Sequence, residues 1–150
     1  MKPVSVSRLI DAPIGLVFQT ISDPRNFREA VPHIKNVEFL SDRHTGVGTR
    51  FRETRVMKGR EESVELEITE FEENDRVRIV SDAGGSIWDT VFTVAEAPGG
   101  VNMHMQMDVR PHTFAARIMN RFVRGLVVKG VVSDMDAIKA YCESAGHSEG

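Results

Sequence analysis

One cysteine, one tryptophan and one tyrosine occur in 150 residues, and these scarcities close several routes. Cys142 alone can form neither an intramolecular disulfide nor a cysteine cluster for zinc. No stretch approaches the ~18 consecutive apolar residues of a membrane-spanning helix. The apolar part of the opening MKPVSVSRLI is too short for a secretory signal. A cytoplasmic protein without stable membrane insertion is therefore expected. An excess of one charge sign is missing too. The 19 Lys and Arg are interleaved with 22 Asp and Glu, for a net charge of −3, which argues against the basic footprint of a nucleic-acid partner. No serine-hydrolase, zinc-hydrolase, dithiol or phosphate-loop motif is present. Asp82-Ala83-Gly84-Gly85-Ser86 joins two strand-like runs and reads as a hairpin turn. The histidines His33, His44, His104, His112 and His147 have no short His or Cys partner spacing, so neither a metal nor another cofactor is expected. Nothing in the composition sets an oligomeric state.

What remains is an ordinary globular balance, 41% apolar and 27% charged, in a chain long enough to bury ~70% of its unfolded surface in one core. Period-two alternation at Val4, Val6 and Arg8 predicts a first strand. Asp11 and Pro13 predict a helix capped by Asp11, and Ser22-Asp23-Pro24 ends it and starts a second short one. After Pro32 the punctuation changes to hairpin spacing. Turns at Thr45-Gly46, Lys58-Gly59, Asn74-Asp75, Gly84-Gly85 and Pro98-Gly99-Gly100 delimit strands near 34–42, 47–57, 60–72, 76–83, 86–96 and 101–110. Strands joined by tight turns pair antiparallel. Val37, Phe39, Val64, Leu66, Ile68, Val77, Ile79, Trp88, Phe92, Met103, Met105 and Met107 fall on one dry face, opposite charged neighbours such as Glu65 and Arg78.

A dry sheet face must be covered, and the segment from about Thr113 to Cys142 is the helix available. It carries Phe114, Ile118, Phe122 and Leu126 at spacing four, then Val131, Met135, Ile138 and Cys142. Arg117, Arg121 and Arg124 share another face, suited to an acidic partner or an anionic membrane surface. Gly125 and Gly130 weaken the middle by about 1 kcal/mol each and predict a bend or an irregular turn there. Cys142, within the apolar pattern, reads as a buried packing thiol. The expected fold is α+β: a seven-stranded curved antiparallel sheet with two short helices after strand one and a long C-terminal helix across its concave face. It forms one domain over 1–145, with a disordered tail over 146–150.

The run Val4-x-Val6-x-Arg8-x-Ile10-x-Ala12-Pro13, with Val17-Phe18, Ile21-Ser22-Asp23-Pro24, Phe27 and Pro32, resembles the START-like, birch-pollen-allergen superfamily. The likeness is strongest to its polyketide cyclase/dehydratase and lipid-transport branch. The order of elements extends it over nearly the whole chain. It implies a helix-grip fold with an apolar cavity between sheet and helix, holding a small hydrophobic, lipid-like or polycyclic ligand. It also admits a ring-closing enzyme. The chain departs from the family at Arg25-Asn26-Phe27-Arg28-Glu29-Ala30, where one aromatic is kept and the usual tryptophan is absent.

Expected cavity walls are Phe51, Val64, Leu66, Ile79, Trp88, Phe92, Met103 and Met105 from the sheet, with Ile118, Phe122 and Leu126 from the helix. Trp88 would add one N–H donor, and the methionines a surface that adapts to ligand shape. Glu53 and Arg55 share a side with Phe51, and Glu62 shares one with Val64 and Leu66. Charged groups entering an apolar space demand a partner or a ligand. With His33 near the mouth, they are the candidates for acid–base work.

Overall fold

Alternation at the N-terminus becomes strand β1 (Val4–Ile10), and the computed structural model, which describes residues 2–148, continues through α1 (Ile14–Ser22) and α2 (Pro24–Ala30). Six strands follow: β2 (Ile34–Phe39), β3 (Arg50–Met57), β4 (Arg60–Glu72), β5 (Arg76–Ala83), β6 (Ser86–Ala97) and β7 (Gly100–Pro111). The chain closes with α3 (Phe114–Ser148). The strands form one antiparallel sheet in the order β1-β7-β6-β5-β4-β3-β2, so only β1 pairs out of sequence. Register shifts between Ile34 and Asn36 and between Ile68 and Glu70 insert an extra residue into β2 and β4. Such bulges bend strands and increase their twist, which curves the sheet around the helices.

Three local features differ from the sequence expectation. Asp11 does not cap α1: Pro13 holds the cap position, and its carbonyl accepts from the amides of Leu16 and Val17. At α2, Asp23 is the cap, its side chain accepting from the Arg25 amide with Pro24 at the first helical position. Helix α3 runs through Gly125 and Gly130 without an irregular turn, because propagation costs less than reopening a turn. It also continues to Ser148, through most of the segment expected as a disordered tail; residues 149–150 lie outside those described.

The core lies between the concave sheet face and the helices. Ile10, Val17, Val31, Val77, Met103, Ile138 and Cys142 have no measurable exposure. Cys142 donates to the Thr20 hydroxyl at 3.5 Å, and burial pushes its thiol above the ordinary range, which suits a packing role. Helix α3 touches β1 and β7 at one side of the sheet, and α1 and α2 cover strands β5 to β7 and β2. No helix packs as closely on β3 and β4, and a space remains there between sheet and helices.

The β6–β7 turn depends on Gly100, at φ 146°. A Cβ there would stand 2.2 Å from the Ile10 carbonyl oxygen and 2.9 Å from its carbon. Backbone cannot retreat as a flexible side chain can, since Ile10 is paired with Val101. Gly100→Ala is expected to lower stability by about 3 kcal/mol or more, read as a fall in the urea midpoint. An unchanged midpoint would mean that β1 yields freely at this corner.

Candidate functional site

Strand alternation points Phe51, Glu53 and Arg55 of β3, every second residue, to the concave side. They border a cavity of about 130 Å³ between sheet and helices. Its floor is Phe51, Leu66, Ile68, Ile79, Phe92 and Met105, drawn from five adjacent strands. Val131 and Met135 of α3 form one wall. The α1–α2 corner forms another, with Ile21, Ser22, Pro24 and Phe27. The single aromatic kept in α2 closes that side: Phe27 and Phe92 meet edge to face with centroids 6.2 Å apart.

Three charged side chains converge at one end. Arg55 Nε donates to Glu53 Oε1 at 2.6 Å, and Arg55 Nη1 lies 3.1 Å from Asp134 Oδ1 and 3.0 Å from Oδ2. Glu53 is 9% exposed, Asp134 19% and Arg55 27%, so this is a largely dry cluster that retains an opening to water. Burial raises the Asp134 carboxyl above its ordinary range; the Arg55 guanidinium opposes this, Glu53 adds to it and His33 opposes it. For Arg55, burial disfavours the charge, but the two carboxylates outweigh it and hold the guanidinium above its usual value. Two acids share one base, so a proton or a donor from a guest would complete the cluster.

Of the residues expected at the site, Phe51, Leu66, Ile79, Phe92 and Met105 border the cavity, as do Glu53 and Arg55. Others sit elsewhere. Val64 stands opposite Glu53 in register, half-buried beyond the polar end. Glu62 is opposite Arg55 but exposed near the β3–β4 turn. His33 is exposed in the loop before β2, and bears on the site only through its charge on Asp134. Trp88 directs its indole N–H to the Ala83 carbonyl at 3.0 Å, within its own hairpin, and lines no part of the cavity. Met103 is wholly buried in the core.

The helix residues require the largest correction. Ile118, Phe122 and Leu126 are 45%, 80% and 65% exposed and lie outside the cavity. The first half of α3 offers two sides, a small-residue one through Ala116 and Asn120 and a bulky apolar one through Ile118 and Phe122. The sheet takes the small-residue side. Asn120 Nδ2 donates to Ser86 Oγ at 3.0 Å, and Ala116 packs where Gly85 has no side chain. Sequence reasoning missed Asp134, although it had a signal: a lone acid inside the stripe formed by Val131, Met135 and Ile138. Among the described residues, no group of three or more His, Cys, Asp or Glu could hold a metal ion. No helix among the described residues is long and apolar enough to cross a membrane.

A curved sheet gripping a long helix, with an apolar space and a few convergent polar groups between them, is a helix-grip fold. The chain belongs to the polyketide cyclase / dehydrase and lipid transport family, whose model matches residues 1–143. No curated protein sequence matches it. Among solved structures, TTHA0849 from Thermus thermophilus is similar in fold at 18% identity and a TM-score of 0.77, covering 96% of this chain and 99% of that one. Ara h 8.0201 gives 16% identity, a TM-score of 0.78, and coverage of 95% and 98%. The di-domain ARO/CYC StfQ from the steffimycin biosynthetic pathway gives 9% identity and a TM-score of 0.79, this chain matching 51% of its length. At these identities the likeness concerns the fold. Family and fold indicate hydrophobic ligand binding or a polyketide cyclase-like role.

Proposed function

We propose that this protein binds a small hydrophobic molecule carrying one hydrogen-bonding group, with its apolar body over Phe92, Ile79 and Leu66 and its polar end at Arg55 and Asp134. The observation that carries this reading is an apolar cavity of about 130 Å³ ending on three clustered charges. The volume also sets a scale. Dry cavities of ~150 Å³ hold benzene, so a single ring or a short acyl segment fits the space as it stands. A polycyclic guest would require the α1–α2 corner to open.

Calorimetric titration with a short alkylphenol, which combines one ring with one hydroxyl, tests the proposal directly. Saturable one-site binding is the expected outcome. No heat at any accessible concentration, together with no small molecule in the native mass spectrum of purified protein, would remove the proposal.

A cyclase- or dehydratase-like reaction is the second reading, favoured by the raised carboxyl of Asp134 beside an apolar floor, where a proton donor would be poised for general acid work. The two readings differ at Asp134→Asn. For a binding protein, affinity for the uncharged phenol is expected to stay within about threefold, because the amide still offers hydrogen bonds. Turnover of a poly-β-ketone thioester by the natural protein, abolished in Asp134→Asn, would establish the enzyme instead.

A further inference from the structure

The first half of α3 presents an apolar row to solvent: Phe114 is 78% exposed, Ile118 45%, Met119 58%, Phe122 80% and Leu126 65%. At about 100° per residue this row lies opposite the side that packs on the sheet through Ala116 and Asn120. From Phe114 to Leu126 it extends ~18 Å along the axis. Contiguous exposed apolar surface of this kind marks an interaction site.

The charge pattern says what it meets. Between Asp108 and Asp134 the sequence contains no acidic residue, while Arg110, Arg117, Arg121, Arg124 and Lys129 fall within that interval. The chain as a whole carries −3, so this interval is a local cationic stretch in a chain whose other Lys and Arg are mixed with acids. Arg110 is held by Asp89, and Arg124 reaches the carbonyls of Lys2 and Pro3. Arg117, Arg121 and Lys129 are exposed around the apolar row. A second copy of the chain fits this face poorly, because a two-fold contact would set cations against cations with no acid to pair them. A convex row offers no groove for a peptide either. Apolar side chains rimmed by cations match the boundary between lipid acyl chains and anionic headgroups.

We infer that α3 docks on anionic bilayer surfaces through Phe114, Ile118, Met119, Phe122 and Leu126, with Arg117, Arg121 and Lys129 against the headgroups. The helix lies in the interface and does not cross it. The inference is independent of what the cavity holds.

Cosedimentation with vesicles of phosphatidylglycerol and phosphatidylcholine in equal parts, against vesicles of phosphatidylcholine alone, tests it. Binding to the anionic vesicles at low salt is expected, falling at least ~10-fold at high salt as the headgroup attraction is screened. Arg117→Gln with Arg121→Gln should weaken it by roughly 30-fold. Phe122→Ser with Leu126→Ser should weaken it by roughly 100-fold, with unchanged circular dichroism and unchanged alkylphenol affinity. Failure of the natural protein to bind the anionic vesicles overturns the inference. So does binding that both double variants leave intact, or a stable dimer in sedimentation that Phe122→Ser with Leu126→Ser dissolves.

Discussion

Replacing Arg55 by methionine is expected to lower stability by about 3 kcal/mol at neutral pH, and the deficit is expected to shrink on acidification. The guanidinium is the one cation that bonds both Glu53 and Asp134, at 2.6 Å and 3.0 Å. Without it two carboxylates face each other across a poorly hydrated space. Removing one partner of a buried ionic cluster commonly costs about 3–5 kcal/mol, and the residual exposure of Arg55 and Asp134 places this case near the lower end. For a chain of this length the melting temperature should fall by roughly 6–12 °C. Asp134 sets the pH dependence. Folding already raises its carboxyl, burial being the main cause and Arg55 the main opposition. A carboxyl raised by folding contributes its full stability below its unfolded pKa and loses it as pH climbs through the folded value. Arg55→Met lifts the folded value further, so the deficit stands at neutral pH and closes as pH falls toward about 3.9. A melting temperature within about 2 °C of the natural protein's at pH 7, or a deficit that deepens with acid, would show that the cluster does not act as described.

Leu66→Trp is expected to abolish guest binding while leaving the fold intact or firmer. The indole would grow into space that is already empty, so filling need not displace packed neighbours and can stabilise. A guest that loses on the order of 100 Å² of apolar contact loses about 2.5 kcal/mol, nearly 100-fold in affinity. Alkylphenol titration and thermal unfolding of the same sample check both halves. Undiminished affinity in a well-folded variant would place the guest outside the cavity.

The frame of this molecule was readable because hairpin turns and alternation are local. Lys58-Gly59 and Gly84-Gly85 alone set the β3–β4 and β5–β6 connections, with Lys58, Gly59, Gly84 and Gly85 all at positive φ. Alternation then placed Phe51, Glu53 and Arg55 on one side. What stayed hidden depends on how one element rolls against another. Helix α3 has a small-residue side and a bulky apolar side in its first half, and nothing local decides which side the sheet receives. The roll is settled by Asn120 meeting Ser86 and by bare Gly85, contacts between residues far apart in the chain. Asp11 failed as a cap for a smaller reason: Pro13, with φ −63° and ψ 143°, holds the extended cap position one residue before the helix. Trp88 was assigned to the site by size, yet its N–H is committed to Ala83.

Under the proposed binding function, the fastening of α3 bears on how a guest would gain entry. At its start Asn120 is tied to Ser86, and a Cβ on Gly85 would press on Thr113 Oγ1 at 2.5 Å, which leaves no slack. Farther along, Asp136 accepts from Arg8, and Lys139 is bonded to the Leu9 carbonyl. A beam clamped at both ends does not lift. The other wall is the short elbow carrying Pro24 and Phe27, where Phe27 meets Phe92 edge to face; if the proposed guest passes there, an aliphatic residue at position 27 should quicken its release without altering the beam.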